Sequence, residues 1–88
     1  MTYRIETSQD EGTEVLAFEG VLDRAAIADI EAGCAQARRR GAHHVVLALG
    51  IGSTVENDCI PALRGIDGLT VRASSPFLAH WLRQSGMR

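Results

Sequence analysis

One stretch limits the folds open to this chain more than any other. The apolar run Val45-Val46-Leu47-Ala48-Leu49 passes through Gly50-Ile51-Gly52-Ser53-Thr54 into Glu56-Asn57-Asp58-Cys59-Ile60. Consecutive apolar residues followed by a glycine-rich segment match a central strand covered on both faces. The glycines read as a loop. Asp58 is then expected to begin a short helix as its N-cap, with Pro61 near the first turn and an end at Gly65 or Gly68. A strand that feeds a loop and then a helix is the repeating unit of an α/β sheet.

The flanking sequence extends this pattern. Tyr3-Arg4-Ile5-Glu6-Thr7 alternates apolar and polar residues and predicts a half-buried strand. Asp10, Glu11 and Gly12 mark a turn, and Glu14-Val15-Leu16-Ala17-Phe18-Glu19 returns as a second strand closed by Gly20, so the chain opens on a hairpin. Asp23 is placed to cap a helix in which Ile27, Ile30, Cys34 and Ala37 share one face. Arg38, Arg39 and Arg40 fill its last turn, where cations suit the negative end of the helix dipole, and Gly41 supplies the C-terminal cap. Leu69-Thr70-Val71-Arg72-Ala73 predicts a further strand. Ser75 and Pro76 open a last helix with Phe77, Leu78, Trp81 and Leu82 on one side. The expected order is β-β-α-β-α-β-α: an α/β fold whose mixed sheet carries an N-terminal hairpin, with helices packed mainly on one face. Ile27, Ile30, Val45, Leu47, Leu49, Leu63, Val71, Leu78 and Trp81 form its expected core.

Length and charge narrow the function. Eighty-eight residues suit one domain over positions 1–88, and a net charge of -2 gives no general attraction to nucleic acid or anionic membrane. No apolar run approaches the roughly 20 residues that span a bilayer, and Met1-Thr2-Tyr3-Arg4 leads into strand-like sequence, so a cytoplasmic location without membrane insertion is expected. Cys34 and Cys59 form no CxxC pair and read as reduced, half-buried packing residues.

The Gly20-Val21-Leu22-Asp23 turn, the Val45-Val46-Leu47 strand and the closing Trp81-Leu82 through Ser85-Gly86-Met87, in this order, resemble the STAS domain. Anti-sigma factor antagonists and the cytoplasmic tails of sulfate transporters share that domain. The resemblance runs from about Ile5 to Gly86. In the family, the turn after the third strand carries a hydroxyl that a partner kinase phosphorylates. Here Glu56, Asn57, Asp58 and Cys59 match it, so Asp58 stands at the phosphoacceptor position and Cys59 replaces a glycine. The family's acidic residue in the third strand matches Ala48. A carboxylate supplies about -1 of charge where a phosphoserine carries roughly -1.5 to -2.

The resemblance implies a non-enzymatic protein-interaction module like an anti-sigma factor antagonist. Its partner would be an anti-sigma or switch kinase of the histidine-kinase-like ATPase type, docking around Asp23, Glu56, Asn57, Asp58 and Cys59. An alternative within the same fold is an accessory subunit of an ABC-type phospholipid transporter, bound to its ATPase. A small ligand- or nucleotide-binding domain is the alternative of another class.

The remaining candidates carry less. His43 and His44 would point to opposite faces of a strand and lack a third metal ligand. Gly50-Ile51-Gly52 is too short for a dinucleotide fingerprint. Ser53 and Thr54 read as exposed loop hydroxyls that could accept phosphate in place of position 58. No nucleophile, base and orienting group fall at matched positions, so neither catalysis nor a cofactor or metal is expected.

Overall fold

The computed structural model describes residues 3–84, apart from the side chains of Phe77 and Trp81. The Ser85-Gly86-Met87 ending and the burial of Phe77 and Trp81 therefore lie outside the described residues. Strand β1 (Tyr3–Asp10) and strand β2 (Thr13–Leu22) form the opening hairpin, paired antiparallel from Tyr3↔Gly20 to Asp10↔Thr13. Its two-residue turn, Glu11 and Gly12, has φ of 48° and 83°. Positive φ at both central residues gives a turn whose twist matches the strands it joins, which is why a glycine stands here.

β2 does not stop at Gly20, as the sequence pattern predicts. Gly20 has a φ of 121°, a conformation that L side chains rarely adopt, and the strand runs on through it to Leu22. That extension has a use. Val21 and Leu22 pair in parallel with β4 (Thr54–Val55), a two-residue strand inside the segment expected to be loop.

Helix α1 (Arg24–Arg39) follows the expected course: Asp23 Oδ1 accepts from Ala26 N at 3.0 Å, and Ala26, Ile27, Ile30, Cys34 and Ala37 are buried. Strand β3 (His44–Leu49) lies parallel to β2, with Leu16 opposite Leu47. A 3-10 turn over Asn57–Cys59 leads into α2 (Ile60–Arg64). Strand β5 (Leu69–Ala73) pairs in parallel with β3, and α3 (Pro76–Gln84) ends the described chain. The sheet order is β1-β2-β3-β5, with β4 on the far end of β2.

One core unites these elements. Leu16, Phe18 and Leu22 of β2 and Val45, Leu47 and Leu49 of β3 meet Ile27 and Ile30 of α1, Ile60 and Leu63 of α2, and Leu78 and Leu82 of α3. All these strand residues belong to one face of the sheet. β3 is therefore covered on one face only, unlike the strand its apolar run predicts: Val45, Leu47 and Leu49 are buried, while Val46 and Ala48 are half-buried on the other side. Val71 is also only half-buried, because β5 is an edge strand. Both thiols are free and fully buried rather than half-buried. No described helix is long and apolar enough to cross a membrane.

Tyr3 ties the edge strand to the rest. Its ring stacks on Phe18 with centroids 5.5 Å apart, and its hydroxyl donates to the Asp29 carboxylate on α1. The hydrogen bond to Asp29, then burial and the charges of Asp29 and Asp23, raise the phenol from 10.0 to about 12. The folded state thus resists losing this proton more than the unfolded chain does. Its contribution to stability is complete below pH 10 and is lost as pH climbs through the window from 10 to about 12. Tyr3 is the only tyrosine, so phenolate absorbance reports it alone. The midpoint is expected near 12 in the native protein, and Asp29→Asn should bring it back toward the ordinary value. An unshifted native midpoint would contradict the bond.

Candidate functional site

The site expected from sequence assembles at the carboxyl ends of the parallel strands. In open α/β sheets this end is where crevices form. Backbone pairing of β4 with β2, continued by Glu56 N donating to Leu22 O at 3.1 Å, sets the Glu56–Cys59 turn beside Asp23. Upstream, the loop that delivers β4 is pinned to one carbonyl: Phe18 O accepts from Gly50 N at 2.8 Å and from Ser53 Oγ at 3.1 Å. Ser53 is therefore a buried structural hydroxyl, not the exposed one its loop position predicts. Thr54 is exposed in β4.

Asp58 does not cap a helix. It lies within the 3-10 turn, and α2 starts later, at Ile60, with Cys59 at the cap position. The Asp58 carboxylate instead faces Arg24 in the first turn of α1, Nε to Oδ2 3.4 Å, with both side chains largely exposed. Arg24 joins the candidate site, and sequence reasoning missed it. Its position directly after the Asp23 cap, on the first turn of a helix leaving the same strand end, is the signal that could have found it.

Glu56 and Asn57 are exposed on the same turn, Asp23 is half-buried and occupied with its capping bond, and Cys59 is buried beneath them. Arg24, Ile27, Asp58, Cys59 and Ala62 line a cleft of about 220 Å³. Burial first, and then the charges of Asp58 and Glu56, push the Cys59 thiol above its ordinary pKa, with Arg24 opposing them. A thiol held protonated is a poor nucleophile, so Cys59 acts as a packing residue under the turn.

Glu56, Asp58 and Cys59 each present one donor atom, all within 4.8 Å of one another. Two exposed carboxylates and a single buried sulfur match neither the oxygen cages of Ca²⁺ nor the thiolate and imidazole sets of Zn²⁺. The arrangement is an exposed group of two carboxylates and one guanidinium, held on a buried base.

None of the three histidines lines this cleft. His43 precedes β3 and donates its backbone N–H to Gly12 O at 2.8 Å. His44 Nε2 lies 2.8 Å from Thr70 Oγ1, and His80 is exposed on α3. Of the arginine triplet, Arg38 reaches the Asp67 carbonyl and Arg40 pairs with Glu14, so two of the three do more than neutralise a helix end. No protein-family model matches this chain, and no curated protein matches it.

Proposed function

We propose that this chain is a non-enzymatic protein-interaction module that works in the cytoplasm, resembling an anti-sigma factor antagonist of a partner-switching system. The observation that carries the reading is the placement of Asp58. It is exposed, close to Asp23 and Arg24, on a turn joined by backbone pairing to the end of β2. Under the STAS resemblance this is the phosphoacceptor position, and its neighbours are the docking surface for a kinase of the histidine-kinase-like ATPase type. A carboxylate there keeps a negative charge at the turn without any phosphoryl transfer.

The test is an affinity titration of wild type and Asp58→Ser against a purified anti-sigma kinase of the histidine-kinase-like ATPase type. The Arg24–Asp58 pair is solvent-exposed, and such pairs are worth about 0–1 kcal/mol, so folding should change little. Binding is expected to tighten about tenfold, or about 1.4 kcal/mol, because the charge opposing docking is removed. Equal affinities would leave Asp58 as a surface residue and sink the reading.

A second reading draws on the hydroxyls. Position 58 has none and Ser53 is buried, which leaves Thr54 as the exposed hydroxyl between Gly50 and Ile60. A domain that props a partner without being phosphorylated fits that scarcity, and the accessory subunit of an ABC-type phospholipid transporter is such a domain. Co-purification with a transporter ATPase, in place of a switch kinase, would decide for it. The cleft of about 220 Å³ at this turn falls below the roughly 300 Å³ where ligand sites begin, so a small-ligand domain would have to use the larger groove of about 420 Å³ between β1 and α1, away from the Glu56–Cys59 turn.

A further inference from the structure

All three helices cover one face of the sheet, and among the described residues nothing packs on the other. The pairing registers define two central rows across that outer face. One runs Glu6, Ala17, Ala48, Arg72 from β1 to β5. The next runs Ser8, Val15, Val46, Thr70. Each row reads as its own complement about the line between β2 and β3. Small apolar residues occupy the two middle strands, hydroxyls match hydroxyls at the edges, and an anion on one edge answers a cation on the other.

We propose that this face binds a second copy of the chain, with the two sheets stacked face to face about a two-fold axis parallel to the strands. That operation sets Glu6 over the partner's Arg72 and Arg72 over the partner's Glu6. It also sets Ala17 over the partner's Ala48 and Val15 over the partner's Val46. Such a contact is isologous and closes at two copies. Alanines and valines at its centre permit the spacing of about 10 Å at which sheets pack, and the long charged side chains sit at the rim, where they can reach across.

The charges are available for this. Glu6 and Arg72 are exposed, and among the described residues Glu6 pairs only with Arg4 of its own strand, at 3.5 Å, in a pair exposed to more than two thirds on both sides. Glu19, on the same face, reaches across Gly50 of its own chain, which the two-fold sets opposite the partner's Glu19, so the two carboxylates approach each other at the carboxyl end of the strands and weaken the contact there. Four strands at about 4.8 Å spacing span only about 19 Å, so the interface is small and the dimer transient. This surface is distinct from the Glu56–Cys59 turn and leaves it free in the dimer.

The test is sedimentation velocity on the full chain from about 10 μM to about 1 mM, the range suited to a small interface. Wild type should move from monomer toward dimer across that range. Glu6→Arg and Arg72→Glu each place like charges together twice per dimer, so each variant alone should associate at least about tenfold more weakly. An equimolar mixture of the two restores both opposite-charge pairs in a mixed dimer and should recover wild-type affinity within about threefold. Raising the salt should weaken wild-type association, whereas a purely apolar contact would strengthen. A wild type that stays monomeric at the highest concentration would overturn the proposal. So would variants that dimerise unchanged, or a mixture no tighter than its components.

Discussion

Arg40→Ala is expected to cost about 3 kcal/mol, a large share of the stability of so small a domain. The reason lies at Glu14, whose side chain is 1% exposed on the core face of β2. One carboxylate oxygen is paired with the Arg40 guanidinium, and the other, Oε1, has no hydrogen-bond partner. Removing one member of such a pair leaves a buried charge uncompensated, which typically costs about 3–5 kcal/mol. The lower end applies because Arg40 is itself 48% exposed and part of its attraction is already screened by water.

The converse substitution should behave differently. Glu14→Leu removes the desolvated carboxylate and leaves Arg40 able to turn into solvent, so stability should stay within about 1 kcal/mol of wild type or rise. The double variant should resemble Glu14→Leu alone, which amounts to a coupling of about 2–3 kcal/mol between the sites. Urea unfolding of the four proteins reads this directly. For a domain of this size the loss in Arg40→Ala corresponds to roughly 12–20 °C in Tm. A cost below about 1 kcal/mol would mean that Glu14 does not depend on Arg40 at all.

The same pair shows how far the sequence could be read. Glu14 lies two and four residues before Leu16 and Phe18, so period-two alternation alone puts it on the buried face. Its partner is not legible that way. Arg40 reaches it only because the parallel crossover brings the end of α1 back over the start of β2, a fact of topology rather than of local pattern. The longer elements were legible for the opposite reason. α1 repeats its period enough times for the apolar face to declare itself, and α1, β3 and β5 lie where the sequence pattern predicts, although the unbroken apolar run of β3 hid which of its faces is covered.

The candidate site was legible in its residues and not in its geometry. β4 is two residues long, too short to show any alternation, and it exists because Gly20 lets β2 continue to Leu22 and offer it a partner. Asp58 has a good capping side chain. With Ile60 as the first helical residue, Pro61 falls at the second position and the cap falls on Cys59. A proline marks the start of a helix only to within a residue or so, and that margin moved Asp58 from a capping role to a surface ion pair. Ser53 went the other way, from loop hydroxyl to buried anchor, because the loop turns inward to reach Phe18 O.

Phe18→Ala is expected to have the largest effect on folding, a loss of about 3–5 kcal/mol. The side chain is 1% exposed at the centre of the core face and touches both parts of the molecule that matter here. Its ring carries Tyr3, and with it the contact of β1 to the body of the fold; stacked aromatic pairs add about 0.5–1.5 kcal/mol beyond their burial. Its backbone carbonyl holds Gly50 and Ser53, and so the approach to the Glu56–Cys59 turn. Substitution removes the ring and leaves the carbonyl, so the two effects can be separated by hydrogen exchange. The amides of Tyr3 to Thr7 should lose protection first and most, while Gly50 should fall only with global stability. Phe18→Leu fills much of the space and should cost far less than the alanine variant while still releasing Tyr3, whose phenol would then titrate nearer its ordinary value. If Phe18→Ala costs under about 1.5 kcal/mol, the sheet and helices are not closed over this ring, and the anchoring of the turn through the same residue falls with it.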